Sequence, residues 1–138
     1  MSDNRRESLC NYRMAAARET LQVAQECFEG NHYKDAINRS YYAAFYAVKA
    51  VLALEERDFK RHKDVMAYFN KEYVAKEIFP RELGRKLGTL KQLREKSDYD
   101  DFYIASKAQA EEQYNTAKYT LEQVSQYLSK NNTDESKE

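Results

Sequence analysis

The chain has 138 residues, enough for one domain with a real core and no need of disulfides or a metal. Lysine plus arginine equals aspartate plus glutamate at 23 each, so the formal net charge is zero. A sequence-independent nucleic-acid coat needs a basic excess and is excluded, so any nucleic-acid contact has to come from a local patch. Three glycines, one proline and 12 tyrosines predict long helices with few tight turns, and amphipathic rings at the edges of a core.

Residues 1–5 are polar and are expected to fray. A first helix is predicted from about Glu7 to Phe28, because Met14, Ala17, Leu21, Ala24 and Phe28 recur at spacings of three and four. Val23 and Cys27 widen this stripe, and Gly30 and Asn31, which tolerate positive φ, end the helix. Cys10 and Cys27 share it and lie ~25 Å apart along its axis, too far to bridge. With no leader pattern, a reduced cytoplasmic protein is expected.

The second helix is predicted over about Tyr33 to Glu55. Ile37, Tyr41, Phe45, Val48 and Leu52 form its main stripe, and alanines fill much of the remaining girth. Such a helix is central or has a second partner surface. Its run 38–54 comes nearest to a membrane span, but Arg39 and Lys49 interrupt it well short of ~20 apolar residues. The polar segment 56–64 carries a basic cluster, Lys60 to Lys63. A short third helix follows from about Lys63 to Val74. Pro80 fits the first turn of a fourth helix that continues to about Lys96. Gly84 and Gly88 read there as a close-packing notch. The segment SDYDD, 97–101, breaks the pattern and supplies caps for a fifth helix, Phe102 to Leu128. Residues 129–138 read as a disordered tail. The expected architecture is an all-α bundle with antiparallel neighbours.

Two histidines on separate segments and two distant cysteines have no zinc-ligand spacing, and there is no glycine-rich phosphate loop, so neither metal nor cofactor is expected. The second helix carries the one arrangement suited to chemistry. At 100° per residue, Arg39 and Tyr46 differ by about 20° and lie ~10 Å apart along the axis. His32, Ala43 and Ala50 share that line, nearly opposite the main stripe. A cation and a phenol among small residues suit a helix–helix or subunit interface with a polar groove. An arginine paired with an acid from the fifth helix or from 98–101 suits the pattern as well.

Three stretches in order, NRSYYAAFYAVKAVL, RHKDVMAYF and REKSDYD, resemble the HEPN superfamily and, within it, the small stand-alone proteins associated with toxin–antitoxin pairs. The resemblance runs over roughly residues 8 to 128. It implies an antiparallel four- to five-helix HEPN-type bundle that dimerises, with residues 1–128 as the domain. Many members are metal-independent ribonucleases whose signature is an arginine, four to six residues, then a histidine, two signatures meeting in one cleft of the dimer. Many are toxins encoded beside an antitoxin, often a minimal nucleotidyltransferase. Others are inactive and bind nucleotides or helical partners. Here Arg39 holds the signature arginine's place and Tyr46 the histidine's, so these two are the catalytic candidates. The resemblance further implies RNA or nucleotide contacts by Asn38, Tyr42, His62, Lys63, Arg94, Asp98 and Tyr99. Metal-free RNA cleavage needs a general base and acid, which histidine supplies near neutrality. A phenol titrating near ~10 is a poor base. The motif therefore reads as degenerate, with an active endoribonuclease and a non-catalytic nucleotidyltransferase partner as the alternatives.

Overall fold

The computed structural model describes the backbone of residues 2–136 and the side chains of residues 4–131. It contains α1 (Ser2–Glu29), α2 (Tyr33–Ala53), α3 (His62–Phe69) continued by one π-helical turn (Asn70–Val74), α4 (Arg81–Tyr99) and α5 (Lys107–Ser136). Among the described residues there is no strand, and no helix is long and apolar enough to cross a membrane.

α2 is the hub because it is apolar almost all the way round. It packs on α1, α3, α4 and α5, and Ile37, Tyr41, Phe45, Val48, Val51 and Leu52 lie in its core. The small residues Ala36, Ala43, Ala47 and Ala50 are all 0% exposed. The face of Ala43 and Ala50 is therefore a helix–helix surface inside the bundle. It is not open to a second subunit. The absence of side-chain bulk lets the neighbouring backbones approach closely.

α1 and α2 form an antiparallel hairpin. Phe28 meets Tyr33 with ring centroids 5.9 Å apart at the turn. At the far end, the Arg13 guanidinium donates to the Lys49 carbonyl at 3.0 Å. Asp58 also draws Arg13 and Lys49 together, at 3.5 Å from each. The turn itself follows from residue type. The chain reverses through Asn31 at φ 67°, with the His32 N–H bonded to the Cys27 carbonyl at 2.8 Å and that of Asn31 to Phe28 at 3.0 Å. This satisfies the last carbonyls of α1, and asparagine tolerates the left-handed position. Gly30 does not use positive φ. Met14, Ala17 and Ala24 are buried as their spacing predicts, but Val23 is exposed and Cys10 joins the core instead.

Several boundaries depart from the sequence pattern. α1 begins at Ser2, so the described residues before Glu7 are helical. Pro80 stands as the N-cap of α4, one place before its first turn. Ser97, Asp98 and Tyr99 belong to α4, and the break begins at Asp100. The cap of α5 is Ser106: its Oγ accepts the Gln109 N–H at 3.0 Å, while the Gln109 side chain accepts the Ser106 N–H at 3.2 Å. This reciprocal pair satisfies two orphan donors and moves the helix start to Lys107. The expected tail, 129–138, lies largely outside the described side chains, and the backbone of α5 runs to Ser136. Of the two glycines in α4, only Gly84 is a notch. A Cβ there would lie 2.8 Å from Val74 Cγ1, whereas one at Gly88 meets nothing within 4 Å.

Candidate functional site

Burial leaves α2 a single open stripe. Asp35 and Arg39 are exposed, and Asn38, Tyr42, Tyr46 and Lys49 are half-buried, while almost every other position is enclosed. These residues fall within about 100° of one another on a 3.6-residue helix. The stripe is thus what remains of the helix surface once α1, α3, α4 and α5 have covered the rest.

Tyr42 is the centre of the site. The Arg94 Nη2 of α4 donates to its hydroxyl at 3.1 Å. The Arg94 guanidinium lies 5.5 Å from its ring centroid and 5.0 Å from that of Tyr41. Arg39 lies 5.6 Å from the Tyr42 ring centroid. Each such cation–ring contact is worth about 0.5–1 kcal/mol at a partly open site. Tyr46 stands one turn on, with its ring centroid 6.3 Å from that of Tyr42. His62, at the start of α3, reaches the same place. Its ring is 4.1 Å from Phe45, and it meets Tyr42 edge-on at 5.6 Å.

The charges around this ring are unevenly compensated. Arg94 pairs with Asp98 one turn later on α4, Nε to Oδ2 at 3.2 Å. Lys49 is committed to Asp58 at 3.5 Å. Arg39 makes no ion pair among the described residues. Its Nε and Nη2 donate to the Asn38 Oδ1 at 3.1 and 2.7 Å, an arrangement that aims an exposed guanidinium without neutralising it. Burial first, then the charges of Arg94 and Lys49, pushes His62 below the ordinary histidine value. It is therefore a neutral imidazole near pH 7, with one ring nitrogen able to accept a proton. Burial likewise raises the Tyr41 phenol to about 12, so it stays protonated.

The structure thus brings together Asn38, Arg39, Tyr42, Tyr46, His62, Arg94 and Asp98. Two residues named with them stand apart. Lys63 turns toward a groove between α3 and α4, and Tyr99 is 78% exposed at the end of α4. His32, on the Arg39 line in projection, is the exposed N-cap of α2. Sequence reasoning did not place Tyr41, Phe45 and Lys49 at the site. The first two carry only the signal of a core stripe. Their contact with His62 depends on how the 54–61 connection folds α3 back over α2.

The HEPN domain profile matches residues 11–127 of this chain. The chain belongs to the HEPN domain family. It is 34% identical over 98 residues to a UPF0332 protein of Thermotoga maritima, covering 71% of this chain and 74% of that one. A Methanocaldococcus jannaschii protein named as a candidate toxin is 29% identical over 112 residues, 81% of this chain and 76% of the relative. A second candidate toxin of that organism is 35% identical over 83 residues, 60% and 62% of the two chains. The site described above lies wholly inside the matched segment. Arg39 and Tyr46, both on the open stripe of α2, lie within it as well.

Proposed function

We propose that this HEPN protein binds RNA or a nucleotide by its phosphate at the Tyr42-centred cleft, as a homodimer in a toxin–antitoxin or defence setting, with a motif too degenerate to cut efficiently. The observation that carries this reading is Arg39, an exposed guanidinium held by an amide and paired with no acid among the described residues, next to a second guanidinium and a neutral imidazole. Planar bidentate donors of this kind suit phosphate oxygens. The surrounding rings offer stacking surface to a base. The named relatives support the toxin setting, and the partner expected from the resemblance is a nucleotidyltransferase-type antitoxin.

Fluorescence anisotropy with a labelled single-stranded RNA tests the binding. Arg39→Ala is expected to weaken it at least tenfold, and equal affinity of the two proteins would remove the cleft from the reading. Induced expression tests the setting. Growth arrest relieved by Arg39→Ala supports a toxin, whereas arrest by both proteins alike sinks the assignment of Arg39.

One observation favours the alternative of a metal-independent endoribonuclease. His62 is neutral, half-buried and in ring contact with Tyr42, so it could serve as the base that position 46 lacks. RNA incubated with excess protein and a chelator decides between the two readings. Cleavage lost in His62→Ala and in Tyr46→Phe would establish the enzyme, and intact RNA would leave the binding module.

A further inference from the structure

The last residue of α4 and the connection to α5 hold the most exposed large apolar side chains among the described residues. Tyr99, Phe102 and Ile104 are 78%, 94% and 86% exposed, with Asp100 and Asp101 between them. The loop is built to display them. The Asp100 carboxylate accepts the Phe102 N–H at 3.0 Å, and the Tyr103 N–H bonds to the Asp100 carbonyl at 3.1 Å. The Tyr103 hydroxyl is anchored on Gln109 at 2.7 Å. Apolar side chains held in water by an ordered turn point to a partner surface.

A complementary surface exists on the same chain. A groove of about 440 Å³ runs between α3 and α4, with Met66 and Leu87 along it, Lys63 and Lys91 at its sides, and Gly88 opening it to solvent. Lys91 is partly compensated by Glu95 at 3.8 Å. Lys63 has no acid partner among the described residues. Phe102 does not fill this groove in its own chain, since it remains almost wholly exposed.

We propose that the occupant is a second copy of this chain. The Tyr99–Ile104 loop of each copy docks in the α3–α4 groove of the other. Phe102 lies over Gly88, and Asp100 and Asp101 face Lys63 and Lys91. Charge complementarity selects this occupant: an acidic, aromatic loop meets a groove whose floor carries Met66 and Leu87 and whose lining has two lysines against one acid, Glu95. Each copy carries both halves of the contact, so one two-fold axis closes the pair without leaving a sticky end. The inference rests on the homodimer reading and gives that dimer a surface. It also ties assembly to the cleft. The loop begins at Asp100, two residues after Asp98, which pairs with Arg94, and Lys63 of the groove directly follows His62.

Light scattering on the eluting protein tests it. Wild type is expected at twice the 16.3 kDa chain mass. Gly88→Trp, whose Cβ meets nothing within 4 Å, is expected at the single-chain mass with unchanged helicity by circular dichroism, as is Phe102→Asp. The pair Lys63→Glu and Lys91→Glu is expected to be monomeric, and adding Asp100→Lys and Asp101→Lys should restore the dimer. A dimer that persists in Gly88→Trp and Phe102→Asp overturns this interface while leaving the homodimer reading intact. A wild type at single-chain mass overturns both.

Discussion

His62 is the residue in the cleft whose charge depends most on its surroundings. Burial and the neighbouring cations hold its pKa below the ordinary histidine value. Between that lowered value and ~6.5 the unfolded chain binds more protons than the folded one, so stability rises with pH. The contribution is complete above about pH 6.5 and is lost as pH falls through the folded pKa. His62→Phe keeps the ring against Phe45 but removes the titration. Its urea midpoint should therefore fall less than that of wild type between pH 7.5 and 5.5, and parallel curves for the two proteins would contradict the assignment. Tyr41 offers a second test. Its side chain is 1% exposed and its hydroxyl has no hydrogen-bond partner among the described residues. A buried unpaired hydroxyl costs about 1–3 kcal/mol, so Tyr41→Phe is expected to raise stability by about 1 kcal/mol in chemical denaturation. The helical projection singled out Arg39, the family resemblance implied Tyr42, His62, Arg94 and Asp98, and the fold gathers them around one ring. It could not show that Asn38 aims Arg39 or that Phe45 carries His62, because both depend on side-chain approach across turns and between helices.

At the scale of elements, three helical stretches end in the same way, each with a non-glycine residue in the left-handed region: Asn31 at φ 67°, Glu56 at φ 59° and Glu77 at φ 63°. After each of these, an N–H reaches back five residues, as from Arg57 to Leu52 at 3.1 Å and from Ile78 to Tyr73 at 2.8 Å. Asparagine suits this position, but glutamate meets a steric penalty of about 1–2 kcal/mol there. Glu77 is exposed, and its pairing with Arg81 at 3.2 Å is a surface contact of little weight. Glu77→Gly is therefore expected to stabilise the protein by up to about 1 kcal/mol, read as a higher urea midpoint, and a lower midpoint would contradict this account of the turn. The two glycines of α4 make a sharper pair. Gly84→Ala drives a Cβ to 2.8 Å from Val74 Cγ1 and should destabilise. Gly88→Ala enters open space and should stabilise by up to about 1 kcal/mol through helix propensity. From spacing alone the two positions look alike, since only the packing of Val74 against one of them separates notch from gap. Helix identity and the central place of α2 were legible, because each rests on periodicity over many residues. The ends were less so. The Ser106–Gln109 cap and the unbroken 97–99 turn depend on single hydrogen bonds that a polar segment can make in several ways.

At the scale of the whole molecule, zero net charge sets the character of any RNA binding. A coat of lysine and arginine would displace many counterions and give a steep salt dependence, whereas this chain offers a local site. Several of its cations are answered by nearby acids: Arg13 and Lys49 by Asp58, Arg94 by Asp98, Arg61 by Asp64 at 3.1 Å. What remains at the site is Arg39 and the partly compensated Arg94. If these meet one or two phosphates of single-stranded RNA, the logarithm of affinity should fall against the logarithm of salt with a slope of about −0.7 to −1.4, at ~0.7 per phosphate. Arg39→Ala should make that slope shallower by about 0.7 and weaken binding of unrelated RNA sequences alike, since a phosphate contact carries no base information. Anisotropy titrations of both proteins between about 50 and 300 mM salt measure this. A wild-type slope steeper than about −4 would mean that a wider basic surface carries the RNA, and an unchanged slope in the variant would place the phosphate away from Arg39.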